Sequence, residues 1–333
     1  MVTIIDVSKM AKVSVSTVSR VINGSAGVRD EPRSRVLRAI EELGYKPSYS
    51  ARLLKTQKSY SVFILVPEID NPYFTDIYHG ARVTMEAQGY MAFLFEASEP
   101  EEVLRAIVNR GADGVVIDAR YASEAEVLLT PAGIPFTSFN APAQFGLPNS
   151  IRIDLYETLG RLCGVLYELG HERIGFISDR PTNEHPYDRM SAMERAAAAA
   201  GKSFDQSRII VESDHENQFE CGYRAFSRMM DLQSVPDAVI AINDLVAIGA
   251  MAAARKRGVA VPKDVSIVGF DNTPAGRYIS PSLSSVNLPT GKQGELAAEM
   301  LLKIIKEKVS ETYSVTLDTD IILRDSVRSK SVT

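Results

Sequence analysis

Apolar residues in the first 45 positions recur at helical spacing, with two breaks. Ile4, Val7 and Ala11 mark a first helix that opens on Thr3, with Asp6 three residues on as a capping-box variant, and ends near Lys12. A second helix fits Val15–Ile22, with Ser14 as cap and Asn23-Gly24 as stop. A third is expected over about 32–43, closing on Gly44. The first two are separated by about three residues, enough only for a tight angled turn. After Pro47, SYSARLLKTQKS offers two helical turns capped by Ser48, too short to be stable alone. From Tyr60 the period changes. SVFILVP, YMAFLFE and GVVID alternate with amphipathic stretches at 72–88, 100–110 and 123–129, and RIGFIS, RIIVE, DAVIAI and VSIVGF continue the series. This alternation predicts an α/β body built on doubly wound parallel sheets. GADGVVIDA (111–119) and VPDAVIAIND (235–244) each set a similar strand before a polar loop, a faint repeat that hints at two related lobes around a cleft. No heptad tail follows TDIILRDS.

The pattern divides 333 residues into a helical head at 1–47, a hinge and linker at 48–59, and a body at 60–333. No apolar run approaches the roughly 18 residues of a membrane span. The N-terminus lacks the unbroken apolar core of a secretory signal, so a cytoplasmic protein is expected. Cys163 and Cys221 fall in helical patterns and read as reduced, buried thiols. The net charge of −5 conceals a division: residues 1–60 hold 11 Lys and Arg against 5 Asp and Glu, a net of +6, leaving −11 for the remainder. A basic head on an acidic body points to a polyanionic partner for the head; a solvated basic face is the alternative.

The second helix sharpens that choice. On a helical wheel Val18, Val21 and Ile22 fall on one side, while Val15, Ser16, Ser19 and Arg20 share the other. An ordinary surface helix would carry Glu–Lys pairs, yet no acidic residue occurs between Val13 and Arg29. Hydroxyls, valine methyls and an arginine fork suit base edges, and the missing carboxylates suit a helix lying among phosphates. With the short turn, the arrangement reads as a helix-turn-helix whose second helix enters the major groove.

TIIDVSKMAKVSVSTVSRVING, followed by RVLRAIEELGYKPSYSARLLKT, resembles the DNA-binding head of the lactose/galactose repressor (LacI/GalR) family of bacterial transcription regulators. The body is similar as well, through NPYF (71–74), ELGHERIGFIS (168–178), DRMSAMERA (188–196), AINDLVAIGAM (241–251), VGFDNTPAGRYISPSLSSV (268–286) and LRDS (323–326). The resemblance implies that Val15 and Ser16 set operator specificity, that Arg20 reads a base, and that Thr17, Ser19 and Asn23 hold phosphates. It makes SYSARLLKT a hinge helix that forms on the operator and pairs with its dimer mate in the minor groove. Leu54 is then the wedge at the central base step, and Lys55 a neighbour reaching a groove edge. Leu53 and Leu54 packing on the body is the bland alternative. Two positions depart from the family. Lys12 replaces a common Gly where a left-handed backbone costs on the order of 1 kcal/mol, and Ser48 replaces Asn.

The body resembles the type I periplasmic sugar-binding fold, two α/β lobes with a small molecule between them. Tyr73 and Phe74, at a helix start, suit stacking on a sugar or base, although such a pair is often core. Arg189 matches the family's ligand-binding arginine. Asn243 after DAVIAI and Asp271 after VSIVGF place acceptors at carboxyl ends of strands, where open sheets bind ligands. Asp244 ranks below Asn243 because it could cap the following helix. Asp118 and Phe139 are assigned to the cleft by strand position alone. A fork donor facing such acceptors satisfies a diol, so a sugar or nucleoside is the leading ligand.

The four histidines show no metal spacing, no GxSxG occurs, and TGKQGE (290–295) lacks the pattern of a phosphate loop. No cofactor, metal or catalytic residue is expected. The expectation is a homodimeric regulator, in the family's terms a repressor, that binds palindromic double-stranded operator DNA under control of a carbohydrate effector, with no membrane partner. A solute-binding protein or a sugar-processing enzyme are the alternatives from other classes. The family also includes members that answer to a phosphocarrier protein.

Overall fold

Thr3 caps the first helix as its spacing from Asp6 predicts. Its hydroxyl accepts from Asp6 N at 3.4 Å and the Asp6 carboxylate accepts from Thr3 N at 2.9 Å, which starts α1 (Ile4–Ala11). The computed structural model that shows this describes residues 2–22, 27–45, 58–141, 147–179, 189–213, 217–307 and 314–328. Lys12 ends α1 in the left-handed conformation (φ 53°, ψ 48°), and Val13 N closes on Ser8 O at 3.1 Å. The conformation that usually calls for Gly is thus adopted by Lys. α2 (Val15–Ile22) follows at once, with Ser14 Oγ accepting from Thr17 N at 3.2 Å. α3 (Asp30–Leu43) begins earlier than the sequence pattern places it. Pro32 sits in its first turn, where no N–H is needed, and Asp30 and Glu31 meet the positive end of the helix dipole. Gly44, at φ 60°, closes α3. Val7, Ala11, Val18, Val21, Val36 and Ala39 are the buried core of this first unit, Met1–Ser59.

The second unit, Tyr60–Thr333, holds two six-stranded sheets. The first lobe runs β1 (Ser61–Val66), α4 (Pro72–Ala87), β2 (Met91–Glu96), α5 (Pro100–Arg110), β3 (Gly114–Asp118), α6 (Ala122–Leu129), β4 (Phe136–Phe139) and β5 (Ser150–Ile153). α7 (Leu155–Glu168) then carries the chain into the second lobe. There β6 (Ile174–Ser178), α8 (Arg189–Ala199), β7 (Ile209–Val211), α9 (Gln218–Met229), β8 (Ala238–Ala241), α10 (Asp244–Lys256), β9 (Ser266–Phe270), α11 (Ala275–Tyr278) and β10 (Ser284–Asn287) follow. α12 (Thr290–Glu307) returns to pack on α4, β11 (Ser314–Leu317) joins the first sheet, and β12 (Asp320–Ile322) joins the second. The chain therefore crosses between lobes three times.

The sheets read β11-β5-β4-β3-β1-β2 and β12-β10-β9-β8-β6-β7, parallel throughout except for the β10–β12 pair. Without their last-added strands, both follow one doubly wound order, and the two similar segments singled out in the sequence, β3 and β8, take matching places. The order reverses beside β1 and β3 in one lobe and beside β6 and β8 in the other, so the loops at their carboxyl ends part to leave a crevice. Helices cover both faces of each sheet, and the central strands β1, β3, β6, β8 and β9 are buried along their whole length. Cys163 in α7 and Cys221 in α9 are free and buried, and burial pushes both thiols up to about 12.

Candidate functional site

In the head, α2 buries Val18 and Val21 and leaves Val15, Ser16 and Arg20 exposed, with Thr17 and Ser19 half-buried. Ser14 Oγ lies 2.7 Å from Ser16 Oγ and 2.9 Å from Thr17 Oγ1, so the start of the helix presents a line of linked hydroxyls. No acidic side chain interrupts the exposed face. Asn23, Leu54 and Lys55, with the rest of the hinge at 48–57, lie outside the described residues.

In the body, the loops after β1, β3, β4, β6, β8 and β9 meet round one open cavity. Ile153, Leu155, Leu159, Phe176, Ile242, Phe270 and Leu288 supply its apolar wall; Asn71, Arg120, Asn140, Asp179, Gln218, Asn243 and Asp271 supply its polar groups. Tyr73 and Phe74 line it as an edge-to-face pair with centroids 5.0 Å apart. The Tyr73 hydroxyl is hydrogen-bonded to Asn140 Oδ1 and lies 3.1 Å from Gln293 Oε1 on α12, and Gln293 Nε2 donates to Asn140 Oδ1 at 3.2 Å. Burial first, and then the charges of Asp271 and Asp118, raise the phenol well above its ordinary value. Tyr73 therefore offers the cavity its ring, while its hydroxyl ties the first lobe to a crossover helix.

Asn71 Oδ1 caps α4 through Tyr73 N at 3.0 Å, and Asn243 Oδ1 caps α10 through Val246 N at 2.9 Å. Between these two caps runs a side-chain bridge. Glu68 Oε1 accepts from Asn71 Nδ2 at 3.0 Å and from Gln218 Nε2, and Gln218 Oε1 accepts from Asn243 Nδ2. It links the lobes at the cavity wall. Asp271 takes φ 99° and Asn272 φ 56°, an uncommon pair of left-handed non-glycine residues. Asn272 is held by Ser285 Oγ at 3.0 Å, by Asn287 Oδ1 at 2.9 Å and by Arg324 from the LRDS segment, so the strained turn aims Asp271 at the cavity.

Of the residues read from the sequence, Tyr73, Phe74, Asn243 and Asp271 stand in the cavity wall. Asp118 and Phe139 do not reach it. Phe139 is wholly buried at 6.5 Å from Phe74, because β4 is an inner strand and its last side chain turns into the core. Asp118 lies one layer back, where it holds Arg120 and Asn140. The cap of α10 is Asn243 and not Asp244, which is buried beneath the Asp271 turn. Arg189 begins α8, but its side chain lies outside the described residues. Asn71, Arg120, Asn140, Asp179 and Gln218 were missed. The rule that placed Asn243 and Asp271 at strand ends, applied also to β3, β4 and β6, would have found Arg120, Asn140 and Asp179.

Residues 3–48 match the model of bacterial regulatory proteins of the lacI family, and residues 164–327 match a periplasmic binding protein-like domain. The ribose operon repressor of Haemophilus influenzae is 31% identical over 340 residues, covering 99% of this chain and 99% of its own. Among solved structures, a complex of the transcriptional regulator CelR with cellobiose is 27% identical, covers 98% of this chain and all of its own, and has a TM-score of 0.69. A lac repressor dimer bound to operator and the anti-inducer ONPF shares the fold at a TM-score of 0.85, with 22% identity over 98% of this chain and 99% of its own. A helix-turn-helix head and a two-lobed α/β body with a lined cleft, matched along nearly the full length of a repressor, place this chain in the lacI family of bacterial regulatory proteins.

Proposed function

We propose that this chain is a transcription repressor that binds a palindromic operator as a homodimer and is controlled by a sugar or sugar derivative held between its lobes. The observation that carries the reading is the exposed, acid-free face of α2. Arg20 donates to guanine O6 and N7, Val15 packs on a thymine methyl, and Ser16 completes the base contacts. Thr17, Ser19 and Asn23 hold phosphates and fix the register, while Leu54 wedges the central step with Lys55 beside it. Operator DNA places the protein in the cytoplasm, and its output is occupancy of DNA, with no reaction catalysed.

In the cleft, Tyr73 and Phe74 take the apolar face of the effector, while Asp271, Asn243 and Arg189 meet its hydroxyls. Occupancy alters the Glu68–Gln218 bridge and the lobe arrangement, and through them the separation of the two hinges in the dimer. The apolar groove lined by Ile248, Met251, Val259, Val261, Ile279 and Pro281, with Tyr278 87% exposed beside it, suits a second copy of the chain. The experiment is selection of bound sequences from random duplexes, followed by titration of the selected palindrome against a sugar panel. Selection of no palindrome would remove the operator reading; a ligand that occupies the cleft without changing operator affinity would remove the control.

A further inference from the structure

We propose that Arg120 reads an anionic group on the effector, so that the cleft selects an acidic or phosphorylated monosaccharide over its neutral parent. This rests on the cleft being the effector site.

Arg120 lies two residues beyond β3, where the strand order reverses, and lines the cavity. Asp118 holds it from the side. One carboxylate oxygen, Oδ1, accepts both from the backbone N of Arg120 and from its Nε, each at 3.0 Å, while Oδ2 accepts from Asn140 Nδ2 at 3.0 Å. The carboxylate pairs with the guanidinium from the Nε edge and shares its charge among three donors. The terminal amino groups make no hydrogen bond or ion pair with any described residue. That end matches the two oxygens of a carboxylate or phosphate, and its direction is fixed before the ligand arrives.

Asp179 and Asp271 reach the cavity from the ends of β6 and β9 in the second lobe. Their carboxylate oxygens are acceptors suited to hydroxyls. A ligand with hydroxyls at one end and negative charge at the other fits in one orientation, whereas a neutral sugar leaves the Arg120 fork to water.

The test is calorimetry on the full chain with glucuronate, galacturonate, glucose 6-phosphate and ribose 5-phosphate, each against glucose, galactose or ribose. The expected result is that at least one acidic sugar binds about tenfold or more tightly than its parent. Arg120→Gln then lowers that affinity about ten- to hundredfold while changing the parent less than about twofold. The carboxylate and phosphate series tell the two anions apart. Arg120→Lys, which keeps the charge but not the fork, should fall between, and thermal melts establish that both variants fold. Parent sugars binding as well as the acidic ones, or Arg120→Gln weakening both alike, would overturn the role of Arg120 and leave the cleft as an effector site. Binding of neither series overturns it as well; operator selection by the head then stands or falls separately.

Discussion

Asp244 shows how much one buried carboxyl can do to a cleft it never touches. It accepts from Thr273 N at 2.6 Å, Thr273 Oγ1 at 2.9 Å and Ser285 Oγ at 2.6 Å, and so pins the turn that presents Asp271. Burial nevertheless pushes it up to about 6. With the folded value above the ordinary carboxyl value, the folded state keeps a proton that the unfolded chain has released between about pH 4 and 6. This contribution therefore lowers stability as pH rises through that window, by about 3 kcal/mol, and is absent below it. Asp244→Asn removes the titration and can still accept from Thr273 while donating to Ser285 Oγ. Urea unfolding from pH 4 to 7 should show wild type losing stability relative to the variant across the window; a constant difference would contradict the assignment. At Val15, 41% exposed on the recognition face, substitution by Tyr should change which operator is chosen more than total affinity. Binding to a panel of half-site variants checks it, and equal loss on every duplex would exclude base reading there. Val15 was legible because its neighbours in sequence explain it; Asp244 was not, since the groups it holds, Thr273 and Ser285, lie 29 and 41 residues away. Arg120 lay within reach of the strand-end rule, but which edge of it Asp118 holds is visible only in the folded chain.

One helix pair of the second lobe depends on backbone contact. α9 and α10 approach so closely that a Cβ on Gly222 would stand 1.9 Å from Val246 O, and one on Gly249 would stand 1.9 Å from Phe219 O. Neither oxygen can withdraw without moving its helix. Gly222→Ala should thus force the pair apart and cost about 1–3 kcal/mol or more, measured as a lowered urea midpoint of the body. α10 carries Asn243 at its N-terminus, so effector affinity should fall with it. The long elements of this layer were legible: α4 and α5 fall at 72–87 and 100–110, where apolar spacing and an initial Pro place them. The short ones were not. β5, β10, β11 and β12 run only three or four residues, with Ser, Thr, Arg or Asp among them, and owe their state to partners distant in sequence, such as β11 on β5. All four adjoin the lobe crossovers, which explains why alternation alone pointed to two lobes without showing how often the chain passes between them.

Charge divides the molecule into a basic head and an acidic body, and regulation requires that the two act as one. The dimer comes first, because a palindrome read by one head gives half the contacts. Ile248→Glu, placed in the apolar groove beside Tyr278, should yield monomers in sedimentation and weaken operator binding without altering effector affinity per chain. Coupling then follows from linkage. An effector that changes operator affinity by some factor must have its own affinity changed by the operator by that same factor, because the cycle of four states closes. A coupling of about 1–3 kcal/mol corresponds to roughly 5–150-fold. Calorimetry with effector on free protein and on the operator complex should give a ratio equal to the one found by titrating operator with and without effector. The Glu68–Gln218 bridge gives this prediction a handle, since it joins the caps of α4 and α10 across the lobes. Gln218→Ala should shrink both ratios together. Should one ratio fall while the other holds, the two measurements report different equilibria, and the cleft does not govern the head through a shared pair of lobe arrangements.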